Sequence, residues 1–166
     1  MKFYGQLHLD KVLFESFFMN KRNGTFIECG AFDGVISSNT LFFYKNMGWR
    51  GYNIEPVPRI YRELIANRGD DENYNIALSD SDGQSSFTQA TTSRFPHYEG
   101  NFGNGSIKHS AAHMEILKRD NCNFESFTVE TMKISTFYKM CNILFISYPN
   151  TFFIGWIIDH RENPLS

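Results

Sequence analysis

Long apolar runs are missing from this 166-residue chain, and with them the signs of a membrane span. The apolar run near the C-terminus, Phe152-Phe153-Ile154-Gly155-Trp156-Ile157-Ile158, is far too short to cross a bilayer, so no membrane partner is expected. Three cysteines, Cys29, Cys122 and Cys141, are an odd number without CxxC spacing, which argues against a disulfide framework or zinc site and fits a reducing, cytoplasmic compartment. No charged leader with a following apolar run and a small-residue cleavage site is visible, so no signal peptide is expected. The histidines, His8, His97, His109, His113 and His160, are not read as a ligand pair, and no metal centre is expected. Excess basic charge is absent too: a net charge of -2 leaves no footprint for nucleic acid. A GxSxG elbow and a Cys–His pattern for nucleophilic catalysis are also lacking.

What is present is apolar material, 42% of the chain, with 17 Phe at helical or strand spacing that read as packed core. The length fits one domain, 1–166, divided into a leading helix over 1–23, a core over 24–147 and an atypical tail over 148–166. Leu13, Phe14, Phe17 and Phe18 predict an amphipathic helix from Asp10, its N-cap, to Asn20. Ser38 to Gly48 predicts a helix, Tyr52-Asn53-Ile54 a strand, and Pro58 to Asn67 a second helix with Pro58 at its first position. Tyr74 to Leu78 reads as a third strand, and Ser85 to Thr88 as a short one. Thr91 to Ser110, rich in Gly, Asn, Ser and Thr, is expected to be a lid. A short helix over Ala111 to Lys118, a strand over Phe127 to Ile134, a helix capped by Ser135, and a buried strand over Ile143 to Ser147 complete the reading. Two sequons, Asn23-Gly24-Thr25 and Asn104-Gly105-Ser106, are read as turn chemistry.

The stretch Phe26 to Gly34, FIECGAFDG, organises all of this: a buried strand runs into an acidic residue and a tight turn with two glycines. Strand, glycine turn, helix and second strand, with Glu55 about 20 positions on, describe the first half of a nucleotide-cofactor unit. The alternation favours an α/β fold with a mostly parallel, doubly wound sheet. A dinucleotide fingerprint needs a third glycine, which leaves a nicotinamide cofactor a distant alternative. S-adenosylmethionine carries no phosphate but a sulfonium, an amino-acid end and a ribose, for which carboxylates around one close turn are the complement. Glu28 would then favour the cationic methionine end, directly or through water, and Gly30 would let the backbone pass beneath the ligand. Glu55 would accept the ribose hydroxyls, and Ala77 to Asp80 would flank the adenine. Ala31, Phe32, Asp33 and Gly34 in the turn, and Pro56 after Glu55, join the candidate set. The plainer alternatives are a Glu28 bonded to nearby backbone amides, a Glu55 solvated in its turn, and ordinary turn roles for Asp33 and Asp80.

The ordered set GTFIECGAFDGVISSNTLFFYKNMGWRGYNIEPVP, led by DKVLFESFF and followed by NIALSDSDG, resembles the FkbM-type S-adenosylmethionine-dependent methyltransferases. The likeness extends more loosely through Thr128 to Thr131 and Ile134 to Phe137. It implies a class I, Rossmann-like methyltransferase fold, with cofactor binding by Glu28, Gly30, Gly34 and Glu55. It also implies methyl transfer to a hydroxyl of a small molecule or sugar. The Asp-x-Glu-Gly-type segment that the family carries after its fourth core strand has no counterpart after Ile146-Ser147, where Tyr148-Pro149-Asn150 stands. The expectation is therefore a sheet incomplete at its C-terminal end, with a truncated, non-catalytic cofactor-binding or interaction module as the alternative. No catalytic base and no oligomeric state are read from the sequence.

Overall fold

The computed structural model describes residues 1–92, 104–143 and 151–155. The chain enters through a 3-10 turn, Gln6–His8, then α1 (Leu9–Leu13) and a wider π-type turn, Phe14–Phe18. β1 (Thr25–Cys29), α2 (Leu41–Met47), β2 (Arg50–Ile54), α3 (Pro58–Asn67), β3 (Glu72–Tyr74) and β4 (Ala77–Ser79) follow. Next come β5 (Gly83–Thr91), β6 (Gly105–Ser106), α4 (Ala111–Arg119), β7 (Asn123–Lys133), α5 (Ile134–Met140) and β8 (Thr151–Gly155). Two compact units result: among the described residues, 1–84 with 129–143 and 151–155 form the first, and 85–92 with 104–128 the second.

The first unit carries a four-stranded sheet in the order β3-β2-β1-β8, with every pairing parallel. β1 is flanked along its whole length, by β2 from Thr25↔Arg50 to Cys29↔Ile54 and by β8 from Thr25↔Thr151 to Cys29↔Gly155. A strand in that position must be apolar on both faces, and alternation delivers it. Phe26 joins Phe14, Phe18, Phe42, Phe43, Met47 and Trp49 on one face. Ile27 and Cys29 join Ile54, Phe137 and Ile143 on the other. Thus α2 and the N-terminal helical segment cover one face, and α5 covers the opposite one. The chain leaves β1 on the first face and comes to β8 from the second, so the helices change sides at β1, where open parallel sheets bind ligands at their C-terminal edge.

Several expectations change. The fold is α/β, but in place of one doubly wound sheet there are two: the parallel one, and a second in which β4 pairs with β7 in parallel and β5 with β6 antiparallel. The third strand breaks in two because Asn75, between its halves, turns its amide onto the carbonyls of Glu55 (2.8 Å) and Pro56 (3.0 Å). The strand beside β1 is Thr151–Gly155, in the stretch read as an atypical tail. Ile143 is buried outside any strand, and residues 144–150, with the rest of that expected strand, lie outside the described residues. Asp10 is not an N-cap: fully buried, it sits inside α1 and accepts from the backbone of Tyr4 (2.6 Å) and Lys11 (2.9 Å). The wide turn after α1 buries Phe14 and Phe18 while leaving Phe17 65% exposed. Ser135 lies within α5, whose first turn is capped from a distance by Asp82, accepting from the Lys133 amide (2.7 Å) and the Thr136 hydroxyl (2.9 Å).

In the second unit β5 pairs with β6 through Thr88↔Ser106 and Gln89↔Gly105. Phe87 and Phe127 pack with ring centroids 5.7 Å apart, Leu117 of α4 is buried, and Ser110 caps α4 by accepting from the His113 amide. Part of the expected lid is therefore strand β6 and the α4 cap; residues 93–103 lie outside the described residues. Among the described residues no helix is long and apolar enough to cross a membrane.

Candidate functional site

The turn after β1 is built on backbone geometry first. Gly30 (φ 69) and Gly34 (φ 75) both occupy the left-handed region, as does Phe32 (φ 53) between them. The amides of Gly30 (2.9 Å) and Ala31 (3.0 Å) both donate to the Ile54 carbonyl, which pins the turn against the end of β2. The two glycines then do different jobs. A Cβ on Gly34 would lie 2.5 Å from Arg68 Cγ and 2.8 Å from Leu64 Cδ1, so this glycine lets α3 close onto the turn. A Cβ on Gly30 would meet nothing within 4 Å. The backbone there faces open space.

Glu55 directly follows Ile54, whose carbonyl pins the turn. Its Oε2 accepts from the Phe32 amide (3.1 Å) and its Oε1 from the Val57 amide (2.9 Å), so it ties the turn to the segment after β2. Burial pushes its pKa up to about 7, against the pull of the Val57 and Phe32 amides. Pro56 follows, its carbonyl held by Asn75. Asp33 turns back on its own loop, Oδ1 accepting from the amides of Val35 (2.9 Å) and Ile36 (2.8 Å), while its carbonyl accepts from Asn67 Nδ2 (2.9 Å). That is turn chemistry, as the plainer reading of Asp33 had it.

Glu28 is committed differently. Its Oε1 accepts from the Asn39 amide (2.9 Å), and its Oε2 from the hydroxyls of Ser38 (3.0 Å) and Thr40 (2.6 Å). Both oxygens are spent on the loop that leads into α2. Burial raises its pKa, while the Thr40 bond, the Arg68 charge, the Ser38 bond and the Asn39 amide lower it. Arg68, fully buried, is the centre of this region: it pairs with Asp71 (Nη2–Oδ2 2.8 Å, Nε–Oδ2 2.9 Å). It also donates to the Gly34 carbonyl (3.1 Å), Ser38 Oγ (3.4 Å) and Thr40 Oγ1 (3.1 Å). Its guanidinium carbon lies 4.4 Å from the Tyr44 ring centroid and 5.3 Å from that of Phe26. Asp71 completes the set by accepting from the Gly51 amide and Asn53 Nδ2. Beside Glu28, burial first and that carboxylate second push the Cys29 thiol up to about 12, an inert thiol.

The structure thus brings together Gly30, Ala31, Phe32, Glu55 and Pro56, with Gly34 and Asp33 behind the opening and Glu28 beneath it. Ala77 is buried in β4, paired with Thr131 of β7, and the Asp80 carboxylate accepts from the hydroxyls of Ser79 and Ser81. After β3, Asn75 reaches the Glu55 turn. Sequence reasoning also missed Arg68 and Asp71, since a cation just past the end of a helix reads as solvated. One histidine reading is corrected: His109 and His113 are four apart, and their Nδ1 atoms meet at 3.4 Å while His109 Nε2 lies 3.1 Å from the Thr88 carbonyl. No third ligand joins them, as no group of three or more His, Cys, Asp or Glu suited to a metal occurs among the described residues.

The donor set fits S-adenosylmethionine at one end. Glu55, with one amide on each oxygen, has acceptor capacity left for ribose hydroxyls or a nearby positive charge, whereas the two oxygens of Glu28 already take three donors. Comparison with known proteins bears on the whole chain. A family model described as the methyltransferase FkbM domain matches residues 28–143, from the acidic end of β1 to just past α5. No curated protein and no solved structure matches. Spanning well over half of the sequence, that match establishes that the chain belongs to the FkbM methyltransferase family.

Proposed function

We propose that this chain binds S-adenosylmethionine at the glycine turn of a class I, Rossmann-like arrangement and directs its methyl group to a hydroxyl of a small molecule or sugar. The observation that supports it most is Glu55, held by the Phe32 and Val57 amides next to the open backbone of Gly30. The turn also lies at the C-terminal edge of a parallel sheet where the covering helices change faces, the position at which such sheets take nucleotides.

Bound S-adenosylmethionine supplies a methyl group on a sulfonium, open to in-line attack by an acceptor oxygen. The protein's share is binding and orientation. Glu55, ionised, accepts from the ribose hydroxyls while its own two amide donors stop it from swinging away. Gly30 leaves room for the ligand to lie against the main chain, and the bonds from Gly30 and Ala31 to the Ile54 carbonyl keep that surface from sagging. Glu28 supports the turn from below through Ser38, Asn39 and Thr40.

Calorimetric titration with S-adenosylmethionine, run beside a nicotinamide dinucleotide, tests the cofactor. Binding of the first and not the second is expected, and an absence of S-adenosylmethionine binding by folded protein overturns the reading. A second reading, a module that binds cofactor without turnover, is favoured by one fact: the family match ends at residue 143, ahead of β8. Transfer of labelled methyl to any member of a panel of hydroxyl acceptors would remove it.

A further inference from the structure

The Arg68 cluster goes beyond what a structural ion pair requires. An Arg–Asp pair needs two atoms; here one guanidinium, closed from solvent, makes five contacts to four acceptors on two segments. Asp71, three residues on, fixes its base, and the remaining donors all point at one loop: the carbonyl of Gly34 and the hydroxyls of Ser38 and Thr40. Those same two hydroxyls donate to Glu28. The oxygens therefore sit between a cation and an anion, accepting from Arg68 and donating to Glu28. That polarity admits only one arrangement of the loop. A lysine could not reproduce it, because a single ammonium lacks the planar fork that spans Gly34, Ser38, Thr40 and Asp71.

We propose that Arg68 is the positioning residue of the cofactor turn: seated on Asp71, it clamps the 34–40 loop and holds Glu28 inside the protein, so that Glu55 is the carboxylate left to meet the cofactor. The last clause rests on the proposed S-adenosylmethionine site; the clamp itself does not. The clamp acts at a distance, since Arg68 touches Gly34 at the far end of the turn while Phe32, midway along it, donates to Glu55. Loosening the Gly34 end frees the Phe32 amide, and with it Glu55.

Arg68→Met and Arg68→Lys, with the charge-balanced pair Glu28→Gln/Arg68→Met, separate the possibilities. Three measurements are made: thermal unfolding across pH 5 to 8, amide hydrogen exchange of segment 30–40, and calorimetric affinity for S-adenosylmethionine. Arg68→Met leaves both Glu28 and Asp71 without their cation, so its melting temperature should fall with rising pH more steeply than that of the wild type, in which Glu55 already gives a slope, and Glu28→Gln in the pair should remove the part of the extra fall that Glu28 carries. Exchange over 30–40 should quicken at least tenfold relative to β2 in all three variants, because none restores the fork to Gly34. Affinity should drop at least tenfold in the pair even though its stability recovers in part, a split that a merely structural role would not produce. Wild-type exchange rates over 30–40 in the folded pair would overturn the clamp, as would full recovery of affinity together with stability. If the unaltered protein binds no S-adenosylmethionine, the cofactor reading fails on its own, and the exchange measurement still decides the role of Arg68.

Discussion

Two carboxylates flank the same glycine turn, at the ends of neighbouring strands, and the protein treats them in opposite ways. Glu28 receives one amide, two hydroxyls and, through them, a buried guanidinium. Glu55 receives two amides and no hydroxyl. Both are buried, and both have pKa values raised by that burial. The difference teaches that an acidic residue at a strand end is not by itself a ligand group; the donors already facing it decide whether it has capacity left. Glu28, with three donors, is committed to holding the loop. Glu55, with two, has the more acceptor capacity left.

The comparison breaks most sharply at the cation. Arg68→Ala should destabilise the fold by about 3–5 kcal/mol, because it strands Glu28 and Asp71 as buried charges, and urea unfolding at pH 7 measures it. Next comes the proton held by Glu55. Folded, this carboxyl keeps its proton up to about 7, against the ordinary 4.5 of a free glutamate. Between those limits the folded state binds more protons than the unfolded one, so stability falls as pH rises, by about 3 kcal/mol across the window, and Glu55→Gln should flatten that slope. Ligand donors select the ionised form, so cofactor affinity should move the other way, rising with pH until about 7 and then levelling. Glu55→Gln should weaken cofactor binding by about 1–3 kcal/mol at pH 8, and Glu28→Gln should lower stability more than affinity.

The glycines sharpen the same contrast. Gly34→Ala combines a left-handed backbone with a clash against Arg68 and Leu64, and should cost about 2–3 kcal/mol of stability. Gly30→Ala carries only the backbone strain, about 1–2 kcal/mol, but puts a methyl group into the open space, so its larger effect should be on calorimetric affinity. The smallest change is expected from Asp33→Ala, which removes two local amide contacts for about 1 kcal/mol; Asp33→Asn, which keeps an acceptor, should be close to neutral in thermal unfolding.

Much of this could be read from residue order. α3 spans Pro58–Asn67 as expected because proline fixes its start and the polar Gly69-Asp70-Asp71 follows its end, and β1 and the glycine turn announce themselves by burial pattern and composition. What escaped was whatever depends on partners distant in the chain. Nothing local marks Arg68 as buried; its reasons are Gly34, Ser38 and Thr40, some thirty positions earlier. Asn75 looked like a strand residue until its amide found Glu55 and Pro56. Phe152 and its neighbours read as an apolar tail because the run alone cannot say that β1 has a vacant side. The His109–His113 contact is the opposite case: its spacing of four is legible in residue order alone.

The seat of β8 beside β1 has a consequence for how the molecule is made. Thr25 pairs with Arg50 on one side and with Thr151 on the other, so one edge of the central strand is satisfied by a segment close in the chain and the other only once Thr151–Gly155 has been made. Until then the nascent chain carries a bare, apolar strand edge, the kind of surface that recruits chaperones or sticks to a neighbour. Closing so distant a pairing is slow compared with forming the local β1–α2–β2 crossover unit, so acquisition of the whole sheet should be governed by that docking step.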